Sequence, residues 1–204
     1  MKGKFITFEG IEGSGKTTQI KRIYKYLKNK KKDVLFLREP GGVKISEKIR
    51  NILLDVVHTE MSKECETLLY MAARAQLVEE VLKPALKEGK IVLCDRFLDS
   101  TIVYQGYGRR IDIHFIKKIG EFATQGIQPD LTFIFDIEVK KGLSRITRPK
   151  DRIETRSLAY HNRVREGYLK LAKLEPRRIK LIKADDHREI IYQRIQGFID
   201  QLFR

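Results

Sequence analysis

Short apolar runs alternate along this chain with longer stretches in which apolar positions repeat every three or four residues. The apolar runs, rich in β-branched and aromatic side chains, predict five strands at residues 5–9, 34–37, 91–95, 131–136 and 179–182. The repeating stretches predict helices that include residues 20–27, 45–53, 68–82, 115–122 and 190–202. Gly89 closes the third of these helices, and Pro84 is a candidate break near its end.

Strands that are apolar almost throughout, separated by helices, are typical of a parallel sheet covered on both faces. No Gly/Ser-rich linker, low-complexity tract or internal repeat divides the sequence. We therefore expect a three-layer α/β fold with a five-stranded parallel sheet, in a single domain that spans residues 1–204.

Composition narrows the class of protein. Hydrophobic residues make up 42% of the 204 positions, which argues against disorder although 34% of the residues are charged. Cys65 and Cys94 lie in unrelated contexts with no metal or redox spacing, which fits a reducing compartment. No run approaches a membrane span, so we expect a cytoplasmic protein with no membrane partner.

The formal charge of +15 suggests a polyanionic partner, and nucleic acid is the first candidate. Residues 140–188 hold 16 basic and 6 acidic side chains, a balance of +10, so most of the excess lies in about a quarter of the chain. A groove for nucleic acid needs aromatic residues among the basic ones, and this segment offers only Tyr160 and Tyr168. We therefore expect no nucleic-acid partner.

The strongest motif is a phosphate-binding loop. Residues 10–17 read GIEGSGKT, a complete G-x-x-x-x-G-K-[ST] pattern between a predicted strand and a predicted helix. Glycines let backbone N–H groups approach phosphate oxygens, Lys16 reaches the β- and γ-phosphates, and the Thr17 hydroxyl is a ligand for Mg²⁺. The residues expected to bind ATP are Gly10, Glu12, Gly13, Ser14, Gly15, Lys16, Thr17 and Thr18.

Glu12 is unusual inside such a loop, because a carboxylate beside a triphosphate is electrostatically unfavourable. Two interpretations remain open from the residues alone: a solvated loop glutamate, or a side chain turned toward a hydroxyl of a second substrate.

A second candidate lies where the third predicted strand ends in Asp95 and Arg96. Ligands of parallel α/β sheets bind beyond the carboxyl ends of the strands. There Asp95 can hold the Mg²⁺ shell and Arg96 can grip a phosphate through two parallel hydrogen bonds. The alternative is a structural Asp–Arg pair, and the phosphate-binding loop favours the functional interpretation.

Four motifs occur in an order that resembles a known family. They are FEGIEGSGKTT at 8–18, REPGG at 38–42, LLYMAAR at 68–74 and DRFLDSTIVYQG at 95–106. Together they resemble thymidylate (dTMP) kinase of the bacterial and archaeal type, over residues 4 to about 174. The resemblance implies a P-loop kinase fold, transfer of the γ-phosphate of ATP to dTMP with Mg²⁺, and a homodimer. Residues 44–56 and 62–88 are the candidate dimer helices.

The same resemblance implies roles for the substrate-binding residues. Arg38 and Arg96 are expected to grip the dTMP phosphate, and Glu12 to hold the sugar 3′-hydroxyl. Tyr70 is expected to stack on thymine while Arg74 hydrogen-bonds its O4. The complete expected set is Glu12, Arg38, Tyr70, Arg74, Arg96, Ser100, Thr101, Tyr104 and Gln105.

Some of these assignments have structural alternatives. Thr101 and Tyr104 are implied to read the base edge and crowd the 2′-position, although from chemistry alone Tyr104 is equally a core aromatic. Without the family, Tyr70 and Arg74 would be an ordinary pair on the surface of a helix, where their spacing of four puts them on one face.

The basic segment is interpreted as a lid at about residues 142–154. Phosphoryl transfer needs positioning and charge neutralisation, which mobile arginines can supply. By resemblance, Arg145 and Arg148 join Lys16 and Arg96 as the catalytic residues, while Arg152 pairs with a neighbouring acid at the hinge. A solvated basic surface is the alternative for any one arginine.

Two other functions compete with this interpretation. One is a P-loop kinase of a nucleoside, another nucleotide or a small metabolite, which would lack the Tyr70/Arg74 pair. The other is a basic, nucleotide-gated module that binds DNA or RNA, whose affinity would depend strongly on salt.

Overall fold

The computed structural model describes residues 3–203, and its centre is a five-stranded sheet. All strand pairs are parallel and the strand order is β2-β3-β1-β4-β5. The strands are β1 (Lys4–Gly10), β2 (Val34–Arg38), β3 (Ile91–Asp95), β4 (Leu131–Asp136) and β5 (Ile179–Lys183). The predicted five-stranded parallel sheet is confirmed, and each strand ends within one residue of its predicted bounds.

Helices cover both faces of this sheet. They are α1 (Lys16–Asn29), α2 (Lys44–Leu54), α3 (Lys63–Leu77), α4 (Lys83–Lys87), α5 (Leu98–Thr101), α6 (Ile113–Thr124), α7 (Val139–Ser144), α8 (Leu158–Leu174) and α9 (Arg188–Leu202). Polar side chains begin three of the longer helices, since Ser62, Asp112 and Ser157 each accept a hydrogen bond from a first-turn backbone N–H. No helix within residues 3–203 is long and apolar enough to cross a membrane.

The alternation of side chains along each strand feeds two apolar clusters. Ile6, Phe8 and Leu93 belong to the larger one, whereas Phe5 and Val92 point into the other. Because both clusters are buried under helices, the predicted three-layer arrangement is confirmed.

Two π-helical segments interrupt the helical layers. Val78–Leu82 joins α3 to α4, and Ile102–Gly108 continues α5. The candidate break at Pro84 does not occur: Pro84 lies in the first turn of α4, directly after the π-helical segment. The chain therefore stays helical from α3 through Lys87.

The sequence pattern missed α8, a helix of 17 residues. Its buried side chains Tyr160, Val164, Tyr168 and Leu171 follow a spacing of four, four and three, which is a helical repeat. The density of charge in this part of the chain concealed the repeat. As a result, α8 packs one face on the core and extends Tyr168 toward the carboxyl ends of the strands.

Candidate active site

The strand register brings the carboxyl ends of three strands into one row. Asp95 of β3 lies opposite Phe8 of β1 and Arg38 of β2. Beyond this row lies a cavity of about 590 Å³, here called the central cavity. The predicted site residues that line it are Glu12, Gly13, Lys16, Thr17, Arg38, Tyr70, Arg74, Asp95, Arg96, Ser100, Thr101, Tyr104, Gln105, Arg145 and Arg148. The other four, Gly10, Ser14, Gly15 and Thr18, lie in the loop and the first turn of α1.

The loop between β1 and α1 depends on glycine at two points. A Cβ on Gly13 would lie 1.9 Å from the carbonyl oxygen of Gly142, and the φ of Gly13 is +68°. Gly15, which precedes α1, has a φ of +85° with open space where a side chain would be. The loop therefore packs against α7 at Gly13 and leaves its backbone accessible at Gly15, as phosphate binding requires.

Lys16 is held inside the loop. Its Nζ donates to the carbonyl oxygens of Gly10 and Ile11 at 2.9 and 3.1 Å, and to Ser14 Oγ at 3.4 Å. Burial, assisted by the positive charge of Arg96, lowers the pKa of Lys16 to about 8. The ammonium group is thus already positioned within the loop, and no carboxylate of the described residues bonds to it directly.

Thr17 and Asp95 meet at the start of α1. Thr17 Oγ1 donates to Asp95 Oδ2 at 3.1 Å, so the two predicted metal ligands lie side by side. Hydroxyl and carboxylate oxygens suit Mg²⁺, which usually takes only one or two protein ligands beside phosphate oxygens and water. No cluster of three or more metal-binding side chains exists within residues 3–203. The donor set therefore fits a magnesium ion that arrives with a nucleotide.

Glu12 turns toward Arg96 rather than toward solvent. Glu12 Oε1 accepts from Arg96 Nη2 at 2.8 Å and from the Tyr104 hydroxyl at 2.7 Å, while Oε2 has no hydrogen-bond partner in the part of the chain that the structure describes. Burial alone would raise the pKa of Glu12, but the charges of Arg96 and Lys16 bring it below its usual value. The interpretation as a solvated loop glutamate is therefore wrong, and Glu12 is an ionised side chain facing the central cavity.

Arg96 is fixed by contacts on several sides. Its φ is +72°, which is rare for a residue other than glycine, and Nη1 donates to Ser100 Oγ and Tyr168 OH at 3.2 Å each. Together with the bond to Glu12, these contacts use three of the five guanidinium N–H groups. Two N–H groups remain for a phosphate.

Sequence reasoning assigned no role to Glu9, the buried acid beneath this network. Glu9 Oε1 accepts from the Phe97 backbone N–H at 2.7 Å, and Oε2 accepts from the hydroxyls of Ser100 and Tyr168 at 2.5 and 2.8 Å. Burial raises its pKa. An acid inside an apolar strand was the signal that could have identified it, because such a group needs several partners.

The opposite end of the central cavity is formed by α3. Tyr70 and Arg74 both line it, as their spacing predicts. Arg74 is only 2% exposed, and it donates to Glu39 Oε2 at 2.8 Å and to the Phe97 carbonyl at 3.0 Å. The interpretation of Tyr70 and Arg74 as an ordinary pair on a helix surface is therefore wrong. Glu39, which holds the Arg74 guanidinium, is a site residue that the sequence did not predict.

Three further predicted residues occupy α5 and the π-helical segment that follows it. Thr101, Tyr104 and Gln105 are buried and reach the central cavity. Gln105 Nε2 donates to Glu66 Oε1 at 3.0 Å, so its amide is oriented by a carboxylate from α3.

Arg38 lies at the mouth of the cavity. Its Nη2 donates to Glu47 Oε1 at 2.7 Å, and its side chain is 45% exposed. Such an exposed pair is held weakly. Arg38 can therefore turn from Glu47 to an incoming anion.

The predicted lid arginines take different positions. Arg145 Nη1 donates to the Gly13 carbonyl of the phosphate-binding loop at 3.2 Å. Arg148 is 61% exposed and folds back on Glu154 through two hydrogen bonds of 2.9 and 2.6 Å. Arg145 thus contacts the phosphate-binding loop, whereas Arg148 bonds to another residue of the lid segment, Glu154.

Arg152 does not pair with a neighbouring acid as expected. It is buried, donates to the Leu53 carbonyl at 2.8 Å, and lies 2.7 Å from the carboxylate of Glu66 in α3. The prediction was wrong about the partner because Glu66 is remote in the sequence. Its contacts anchor the end of the lid to α2 and α3.

Part of the basic excess is structural. Arg178 makes two hydrogen bonds to Asp99, of 2.7 and 3.0 Å, and Arg165 makes two to Asp136, of 2.6 and 3.0 Å. Arg165 therefore fastens α8 to the end of β4, and Arg178 fastens the start of β5 to α5, so these charges of the 140–188 segment are used inside the fold.

Comparisons of the sequence with known proteins identify the same family as the four motifs. The family model described as thymidylate kinase matches residues 8–195, beyond residue 174 where the resemblance of the motifs fades. A thymidylate kinase of Clostridium novyi (strain NT) is 46% identical over 202 residues, which cover 97% of this chain and 98% of that protein. One of Halothermothrix orenii is 50% identical over 200 residues, which cover 96% and 95%.

A solved structure gives the same result for the fold. The crystal structure of thymidylate kinase from Ehrlichia chaffeensis superimposes with a TM-score of 0.81 and 33% sequence identity, covering 98% of this chain and 99% of the other.

Proposed function

The chain belongs to the thymidylate kinase family and phosphorylates dTMP to dTDP with ATP, and we propose that the central cavity carries out this transfer in line. One observation carries the proposal. The phosphate-binding loop and the Asp95–Arg96 pair stand side by side, with Thr17 Oγ1 3.1 Å from Asp95 Oδ2, in a cavity that also contains Tyr70 and Arg74.

The donor phosphates belong on the loop side of this cavity. Backbone N–H groups of the loop and the N-terminus of α1 would bind the β- and γ-phosphates. Lys16 would exchange its carbonyl partners for phosphate oxygens. Thr17 and Asp95 would hold Mg²⁺, which when bound neutralises developing charge on the phosphates.

The acceptor belongs on the side of Arg96. Arg38 and the two remaining N–H groups of Arg96 would bind the dTMP phosphate, and Glu12 would accept from the sugar 3′-hydroxyl. Tyr104 would limit the space at the 2′-position, next to Glu12. Tyr70 would stack on the base while Arg74, fixed by Glu39, reads its edge with Thr101 and Gln105.

The bond changes require no general base. An oxygen of the dTMP phosphate, already an anion, attacks the γ-phosphorus, and the bond from that phosphorus to the β–γ bridging oxygen breaks to release ADP. The approach of two anions is the obstacle, so the protein contributes positive charge and alignment. Arg145 and Arg148 of the lid, residues 142–154, would add that charge when the lid closes.

A homodimer is part of the proposal. Apolar side chains stay exposed on three adjoining helices, α2, α3 and α6: Ile45, Ile52, Leu68, Phe115 and Phe122, of which Phe122 is 85% exposed. A shared apolar face of this kind supports pairing with a second copy. We further propose one kinase domain and a cytoplasmic location, which the nucleotide substrates and the free Cys65 and Cys94 favour.

The test is ADP production with ATP–Mg²⁺ against dTMP, dUMP, TMP-ribose, dCMP, AMP and GMP. Preference for dTMP is expected, and Thr17→Ala should raise the Mg²⁺ concentration needed for half-maximal rate. Lys21→Ala, an exposed position one turn further along α1, is the control. Preference for another nucleotide would refute the acceptor assignment while leaving the fold intact.

A further inference from the structure

A second cavity, also of about 590 Å³, opens where α3 and α8 begin and the π-helical segment Ile102–Gly108 ends. We call it the basic cavity. It is lined by Lys63, Gly108, Arg109, Arg110, Arg156, Ser157, Tyr160 and Arg163. Among the residues that the structure describes, none lines both this cavity and the central one.

Five of the lining residues are cations, and none of the lining residues in the described chain is acidic. Arg109 and Arg110 have no ion-pair partner within residues 3–203. Lys63 is 3.8 Å from the exposed carboxylate of Glu64, and Arg163 donates only to the Gly108 carbonyl, at 3.2 and 2.9 Å. The charge of four of these side chains is therefore uncompensated or only weakly compensated.

Arg156 is the one lining cation with a close carboxylate, and that carboxylate is shared. Glu66, which is fully buried, also forms an ion pair with Arg152 at 2.7 Å and accepts a hydrogen bond from Gln105. One negative charge therefore serves two guanidinium groups. Arg156 Nη1 and Arg109 Nε are buried without any hydrogen-bond partner among residues 3–203, which is costly for such donors.

The N-terminus of α8 adds to the positive potential. This 17-residue helix has no acidic side chain in its first turn, and Ser157 caps it by accepting from the Tyr160 N–H. The positive end of the helix dipole therefore faces the same space as the five cations. The cations that line this cavity repel one another, which destabilises the folded state unless an anion lies between them.

The walls offer little to a nucleobase. Tyr160, the one aromatic residue in the described lining, is 4% exposed, carries Arg156 over its ring at 4.7 Å, and donates its hydroxyl to the Tyr104 carbonyl at 3.3 Å. A ligand here would be recognised by its phosphates rather than by stacking. We propose that the basic cavity is a second anion site, which binds a chain of two or three phosphate groups, free or carried by a nucleotide.

Calorimetry with magnesium-free tripolyphosphate on the full-length enzyme tests this site. Tripolyphosphate should occupy two sites per chain in the wild type, and Lys16→Ala should weaken the one in the phosphate-binding loop. In the Lys16→Ala background the remaining site should weaken at least tenfold in Lys63→Gln/Arg110→Gln, which removes two exposed cations without breaking a buried contact. Lys117→Gln/Lys118→Gln, two exposed lysines of α6, removes the same charge elsewhere and should change affinity less than twofold.

Two further measurements identify the ligand and guard against misfolding. Pyrophosphate, tripolyphosphate and dTTP are compared on Lys16→Ala with saturating dTMP, where equal affinity of the last two indicates a phosphate chain and tighter dTTP indicates a nucleotide. Made in the otherwise wild-type enzyme, both double variants should keep the wild-type kcat, KM and melting temperature.

The proposal is overturned if Lys16→Ala shows no saturable site for tripolyphosphate, as would follow if a second subunit covered the cavity. It is also overturned if both double variants lose affinity equally, because the attraction would then be diffuse. Tighter binding of a single-stranded oligonucleotide than of tripolyphosphate would assign the surface to nucleic acid instead. The kinase proposal does not depend on any of these outcomes.

Discussion

The buried ammonium of Lys16 predicts how the enzyme captures ATP as pH rises. Burial lowers the pKa of this lysine to about 8 in the ATP-free enzyme. The cationic form is therefore complete at pH 6, and only about a tenth of it remains at pH 9. Only the cation can bind the phosphates well, so kcat/KM for ATP should fall about tenfold for each pH unit above 8.

Once ATP is bound, the phosphates favour the charged lysine and raise its pKa. The kcat at saturating ATP should therefore hold to higher pH than kcat/KM does. The difference of about 2.5 pKa units from an ordinary lysine corresponds to about 3 kcal/mol of burial cost, which the bound phosphates offset.

The assay is initial-rate kinetics with coupled ADP detection from pH 6 to 10 at constant ionic strength and saturating Mg²⁺. The internal control is kcat/KM for dTMP at saturating ATP, which should show no transition near pH 8. A flat profile of kcat/KM for ATP up to pH 9.5 would refute the reasoning, since Lys16 would then have an ordinary pKa in the free enzyme.

Three further perturbations follow from the contacts described. Arg145→Ala and Arg148→Ala should each lower kcat at least tenfold while KM for dTMP changes less than threefold. The control Lys150→Ala, in the same segment, should alter neither constant. Unchanged kcat in both arginine variants would remove the lid assignment. A lysine at position 74 cannot donate to Glu39 and to the Phe97 carbonyl at the same time as the Arg74 guanidinium does. In Arg74→Lys, isothermal titration should therefore show dTMP binding weakened about tenfold. Wild-type affinity would show that the guanidinium only fills space. Phe122→Glu should shift the sedimenting species from dimer to monomer, and a species of unchanged size would place the interface on another face.

The expectations that held depended on local patterns. The phosphate-binding loop is eight consecutive residues, and the position of Asp95 at the end of an apolar strand follows from the strand pattern together with the rule for parallel sheets. Tyr70 and Arg74 are one helical turn apart, so their shared face also follows from spacing. In each case the information lies within a few residues of chain.

The features that escaped prediction depend on distant partners. Glu66 accepts hydrogen bonds from Gln105 and Arg156 and forms an ion pair with Arg152. These residues lie 39 to 90 positions away, and nothing near Glu66 in the sequence indicates the contacts. Glu9 similarly relies on Tyr168, 159 positions later. Such buried polar networks are set by tertiary packing, which spacing rules do not contain.

The strand order has a consequence for how the chain is made. β1 pairs only with β3 and β4, and β2 pairs only with β3, so every pairing of the first two strands waits for residues synthesised much later. At about 5–20 residues per second, a ribosome needs roughly 4 to 17 s to travel from the end of β1 to the end of β3. Throughout that interval the nascent strand carrying Phe5, Ile6 and Phe8 lacks both of its sheet partners, so its apolar side chains and open strand edges are exposed to non-native pairing.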